Sequence, residues 1–136
     1  MNDDRISCEG SEAKHLALDW DYLARQTFGD VGLEFELLCV FRAQAEVVLQ
    51  RLRGSQPMAD REKADFAHLL KGSARAIGAI RVGSACDVYE ALLADSGRGA
   101  DEALKDLAAA VAEAADEINQ SLAKRSFEEQ TFKEQT

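Results

Sequence analysis

Ala67-His68-Leu69-Leu70-Lys71-Gly72-Ser73-Ala74-Arg75-Ala76-Ile77-Gly78-Ala79 lies inside a segment, about 60–80, whose apolar residues recur at helical spacing. Phe66, Leu70, Ser73, Ile77 and Ile80 step by three and four residues, and they form the expected core stripe. At about 100° per residue, with His68 set at zero, that stripe occupies roughly 120° to 200°. Lys71 then falls near −60°, Gly72 near +40° and Arg75 near −20°, all on the opposite face. The spacing therefore predicts an exposed histidine at the centre of a face that also carries two cations and a glycine.

The flanking segments repeat the helical period. Asp19 is positioned to cap a short helix with Trp20, Leu23 and Phe28, which stops near Gly29-Asp30-Val31-Gly32. A long helix follows at about 33–52, its stripe Leu38, Phe41, Ala45, Val48 and Leu52. Gly54-Ser55-Gln56-Pro57 breaks it, and Asp60 is the expected cap of the histidine helix. Val82, Ala85, Cys86, Tyr89, Leu92 and Leu93 mark a further helix at about 82–94, ended by two glycines in Asp95-Ser96-Gly97-Arg98-Gly99. The last helix, about 101–124, carries Leu104, Leu107, Ala108, Val111, Ala115, Ile118 and Leu122 on one side. The predicted fold is all-α: an antiparallel up-down four-helix bundle with an additional short N-terminal helix across one end. Residues 1–15 read as a flexible arm, 16–125 as the bundle, and 126–136 as a frayed C-terminal tail.

Composition narrows the function. The chain has 136 residues, with 25 Asp and Glu against 16 Lys and Arg, a formal net charge of −9. One domain fits that length, and no nucleic acid is expected as partner because phosphate neutralisation needs a basic surface. No apolar run approaches the roughly 20 residues that span a bilayer, and Met1-Asn2-Asp3-Asp4-Arg5 is no signal peptide. Cys8, Cys39 and Cys86 are an odd number without C-x-x-C spacing, which suits a reduced, cytoplasmic chain. Cys39 and Cys86 read as small packing residues, and Trp20 and Tyr89 as core aromatics. With only His15 and His68 as histidines, no Ser/His/Asp set and no phosphate-binding glycine loop exists. No cofactor and no metal are expected.

A lone exposed histidine is ordinarily just a surface residue, and His15 is read that way. His68 differs in its neighbours. An unprotonated imidazole nitrogen carries a lone pair that is a free nucleophile. Lys71, one turn on, can neutralise a negative group placed on His68, and Arg75 can do the same from the next turn. Gly72 costs about 1 kcal/mol relative to alanine inside a helix, and so does Gly78. The missing side chain at Gly72 opens the approach to the imidazole. Gly78, off this face, is read as permitting close packing against a neighbouring helix.

The stretch from Ala67 to Ala79 closely resembles the histidine phosphotransfer (HPt) domain signature: His68, then Lys71-Gly72-Ser73-Ala74, then Ile77-Gly78-Ala79. Cys86-Asp87-Val88-Tyr89-Glu90 resembles the family's next helix, where Gln or Glu lies near the active histidine, and the likeness spans about 17–124. The resemblance implies a phosphorelay carrier. His68 would accept a phosphoryl group on Nε2 from an aspartate of a receiver domain and pass it to another receiver. Lys71 would be the charge partner, Gly72 the access point, and Glu90 a hydrogen-bond partner of the ring. Ala94 stands where some members carry a basic residue, so Arg75 is the candidate substitute. The implied partners are receiver domains of response regulators or hybrid histidine kinases, met by a monomer without kinase activity of its own. An alternative is a module that binds a receiver or kinase and regulates it sterically, with His68 incidental. A second is the dimerisation and phosphoacceptor part of a sensor kinase, which would need an ATP-binding domain that this chain does not hold.

Overall fold

A computed structural model describes residues 16–135, with side chains described as far as residue 125. Its described residues are all helical or loop: α1 (Trp20–Gln26), α2 (Val31–Arg53), α3 (Asp60–Ile77), α4 (Ile80–Asp95) and α5 (Ala100–Gln135). The four long helices form the predicted antiparallel bundle, α3 lying along α4 and α4 along α5, with α2 bordering both α3 and α5. The short α1 packs across the ends of α2 and α3.

Local chemistry sets most boundaries where the spacing puts them. Asp19 caps α1 by accepting from the Tyr22 N–H at 3.0 Å, and Asp30 caps α2 through the Leu33 N–H at 3.1 Å. The cap of α3 is Ala59 rather than the expected Asp60, and the Ala59 N–H donates to Glu62 Oε1 at 3.3 Å. Asp60 instead sits in the first turn, where its charge complements the helix dipole. The loop after α4 turns through Gly97 and Gly99, both with positive φ, as the two-glycine stop predicts. The last helix does not end at Lys124 but continues to Gln135. No Gly or Pro interrupts residues 101–135, so nothing in that stretch stops the backbone. The expected arm, 1–15, with Cys8 and His15, falls outside the described residues.

The core runs along α2 as Leu38, Phe41, Ala45, Val48 and Leu52, as the spacing predicts. On α3 it is Ala67, Leu70, Ala74 and Ile77, which is the expected stripe rotated toward α4. Small Ala67 and Ala74 let α4 approach, pushing Phe66 and Ser73 to the edge of the interface. Ile80 is 61% exposed at the start of α4 and belongs to no core. Tyr89 and Cys86 are fully buried on α4, whereas Trp20 and Cys39 are half-buried.

Two polar devices close the α1 end. The Glu117 carboxylate on α5 accepts from the Ala17 and Leu18 N–H groups and from Trp20 Nε1–H, strapping the entering chain down. Gly78 ends α3 in the left-handed region, φ +83°, and its carbonyl accepts from the Asp19 N–H at 2.9 Å. It is therefore a C-cap rather than an interior helix residue, although it does serve close packing. A Cβ there would stand 3.0 Å from the Asp19 carbonyl oxygen and 3.1 Å from the Tyr22 ring. Gly78→Ala combines an unfavourable left-handed backbone with that clash and should destabilise by about 1–2 kcal/mol or more. Chemical denaturation checks this, with Gly72→Ala, where a Cβ meets nothing within 4 Å, expected to move stability the opposite way.

Candidate functional site

The middle of α3 presents His68 with 71% of its side chain exposed, opposite the buried stripe. Its ring is met from α4. Nδ1 lies 3.3 Å from Glu90 Oε2, close enough for a small ring rotation to complete a hydrogen bond from Nδ1–H. A proton held on Nδ1 leaves the lone pair on Nε2, and among the described residues no hydrogen-bond partner stands at Nε2.

Lys71 follows one turn later and extends across the interface with only 17% of its side chain exposed. Its ammonium lies 2.9 Å from Asp87 Oδ1 and 2.9 Å from Glu90 Oε1. Glu90 first, then Asp87, hold the ammonium pKa above its ordinary 10.5. Arg75 takes the other oxygen of the same aspartate, Nη2 to Asp87 Oδ2 at 2.5 Å. The hydrogen bond from Lys71 leads in holding the Asp87 carboxyl below 3.8, and the Arg75 charge adds to it against the cost of partial burial. The signs are opposite for the two partners. Asp87 keeps its share of the pairing above about pH 3.8 and loses it as pH falls through the lowered value, whereas Lys71 loses its share only above 10.5.

Gly72 stands beside the imidazole in open space, with nothing within 4 Å of where a Cβ would be. Since no packing requires glycine at that position, its helix cost of about 1 kcal/mol points to access for an incoming surface. The structure thus brings His68, Lys71, Gly72, Arg75 and Glu90 to one face of the α3–α4 pair. Asp87 is the member that the sequence reading left out of the site, although it binds both cations. Its signal lies in spacing: Lys71 and Arg75 are four apart on one helix, Asp87 and Glu90 three apart on the next.

The buried thiol of Cys86 supplies no second nucleophile. Burial, reinforced by Glu90 and Asp87, pushes it up to about 12 and keeps it protonated at neutral pH. Among the described residues no group of three or more His, Cys, Asp or Glu could hold a metal. An exposed neutral imidazole with an open lone pair and nearby cations is chemically an acceptor for a small electrophile that carries negative charge.

The family model of the Hpt domain matches residues 36–124. No curated protein matches the sequence. Among solved structures, histidine phosphotransferase ShpA from Caulobacter crescentus is 33% identical, covering 79% of this chain and 97% of its own, with a TM-score of 0.54. A rice protein assigned as a histidine-containing phosphotransfer protein superposes with a TM-score of 0.72. At 20% identity over 88% of this chain and 90% of that one, it shares the fold.

The pairing across α3 and α4 is open to direct titration. In Lys71→Met, which keeps the stem and removes the charge, the Asp87 carboxyl should return upward toward 3.8. Carboxyl ¹³C shifts followed against pH read this, and an unmoved Asp87 would show that Lys71 does not hold it.

Proposed function

Because the chain belongs to the Hpt domain family, we propose that it is a phosphorelay carrier whose phosphoacceptor is His68. The carrying observation is the imidazole itself: 71% exposed, faced at Nδ1 by Glu90 and open at Nε2 beside a glycine. A receiver-domain aspartyl phosphate brings the electrophile. The Nε2 lone pair attacks phosphorus, the bond from phosphorus to the acyl oxygen breaks, and the aspartate carboxylate leaves with the electron pair. The ring keeps the proton on Nδ1 and becomes cationic, and Glu90 stabilises that charge. Passing the group to a second receiver reverses each step.

Lys71 and Arg75 are the cations that can answer the roughly two negative charges brought by the phosphoryl group. Gly72 keeps the approach clear. Magnesium and the acid chemistry belong to the receiver in this reading, and the carrier acts as a cytoplasmic monomer without kinase activity of its own.

An apolar surface beside His68 suits the docking partner. Arg51 lies over the Phe66 ring, 5.1 Å from its centroid, which places that flank of α2 against α3. Val40 and Val47, seven residues apart, share the flank with Arg51, and Leu69 follows Phe66 on the matching side of α3. All three are more than half exposed. A receiver that covers them buries apolar area while bringing its aspartate to the imidazole.

His68→Gln should abolish acid-labile labelling by a panel of phosphorylated receiver domains, with helix content and melting nearly unchanged because the position is exposed. Undiminished labelling of that variant would overturn the carrier. Receiver binding without any labelling of the wild type would instead leave the steric module. Gly72→Gln should fold at least as stably yet transfer slowly, since its side chain enters the approach path.

A further inference from the structure

We infer that Asp87 is a positioning residue that holds the Lys71 ammonium and the Arg75 guanidinium away from the phosphoryl group, which keeps phospho-His68 a strong donor. The inference deepens the carrier reading and rests on it. Its basis is that each oxygen of Asp87 has its own cation, Oδ1 with Lys71 at 2.9 Å and Oδ2 with Arg75 at 2.5 Å. The same two cations are the ones that stand within two turns after His68 on its own helix face.

The path of Arg75 is built into α4. A Cβ at Gly83 would stand 3.4 Å from Arg75 Cγ and 3.5 Å from Nε, so the arginine stem lies across that glycine. Gly83 is buried in a helix interior, where glycine costs about 1 kcal/mol, and the space it leaves carries the guanidinium to Asp87 one turn on. Lys71 is drawn the same way, its stem mostly covered and its ammonium between two carboxylates. Arg75 therefore leans toward α4, and the Lys71 ammonium rests between Asp87 and Glu90, the carboxylate that also faces His68.

The charge count follows. Lys71 and Arg75 contribute +2, Asp87 and Glu90 contribute −2, and this cluster beside a neutral His68 sums to zero. A phosphoryl group arriving with about two negative charges meets no net positive field. To bind it, a cation must first leave a carboxylate, so one charge-assisted hydrogen bond replaces another with little gain. Glu90 does separate work, because its carboxylate also faces Nδ1 and favours the cationic ring. Asp87 acts only through the cations.

The experiment uses phosphoramidate as phosphodonor. Nε2 attacks phosphorus, the P–N bond breaks, and ammonia leaves with the electron pair, giving the Nδ1-protonated phosphoimidazole. At fixed phosphoramidate and ammonia concentrations, ³¹P NMR reads the ratio of phospho-His68 to free protein at equilibrium. Asp87→Asn should raise that ratio about two- to fivefold at low salt, the range of exposed ion pairs. The gain should shrink in ~1 M salt, where charges are screened over about 3 Å. Asp87→Glu should restore the wild-type ratio, and Asp87→Asn should have no effect once Lys71→Ala and Arg75→Ala are also present. An unchanged or lowered ratio in Asp87→Asn overturns the inference. So does an equal rise without the two cations, which would mean direct repulsion. A wild-type protein that takes no phosphoryl group on His68 overturns the carrier reading itself, whereas a labelled protein indifferent to Asp87 overturns only the role of Asp87.

Discussion

The turn at Gly78-Ala79 sets everything that faces everything else at the site. α3 ends at Ile77 and α4 begins at Ile80, so the two helices form a hairpin with almost no loop. Residues equidistant from Ala79 then lie opposite one another. Arg75 and Gly83 are four residues to either side, Lys71 and Asp87 eight, His68 and Glu90 eleven. The same pairs are the ones that touch: stem against glycine, ammonium against carboxylate, imidazole against carboxylate. Each contact is spaced by about a helical turn because both helices repeat at 3.6 residues. One added residue in the turn would rotate α4 by about 100° and misalign all three pairs together. Only a left-handed residue reverses the chain so tightly, and α1 packs against that residue so closely that only glycine fits.

That dependence explains which parts of the molecule were legible in the sequence. Helix number, order and type followed from apolar spacing, since each long helix buries a single stripe against its neighbours. The face of His68 followed for the same reason. The apolar pattern continues through Ile80 and so places Gly78 inside the helix, whereas what ends α3 is a long-range contact with Asp19 and Tyr22. The buried stripe of α3 is turned toward α4 relative to its apolar spacing. Ala67 and Ala74 carry little hydrophobic signal, yet they are buried because they let α4 come near. Asp87 does not stand out in the sequence because a single charged residue on an amphipathic helix is ordinarily solvated. Its meaning depends on the hairpin register, which one helix read alone does not contain.

The acidic character of the chain is likewise distributed by structure. Glu117 spends its carboxylate on two backbone N–H groups and an indole, which fixes the segment entering α1. Glu34 is buried at the start of α2 and accepts from Arg125 Nη2 at 2.7 Å, with Thr27 Oγ1–H at 3.3 Å, tying α5 to the α1–α2 corner. Both are structural anchors: Glu34 is buried and Glu117 half-buried, and each carboxylate is met by hydrogen-bond donors. Asp87 differs because it is about half exposed and divides its oxygens between two cations, Lys71 and the exposed Arg75, where solvent weakens the pairing.

A carrier must receive its group readily and surrender it readily, and these demands limit how well the site can bind its own product. A face with strong free positive charge would stabilise the phosphorylated histidine and retard the second transfer. An unopposed negative face would prevent the first. Pairing each cation with a carboxylate gives local neutrality without removing either cation from the site. Exposure then completes the design, because solvent screening keeps every exchange of partner shallow. Affinity for a docking protein can come from apolar contact at Val40, Val47 and Leu69, which is indifferent to whether His68 is charged. In the proposed carrier, the separation is between an apolar docking surface that would supply binding and an imidazole whose surroundings would favour neither end of the transfer.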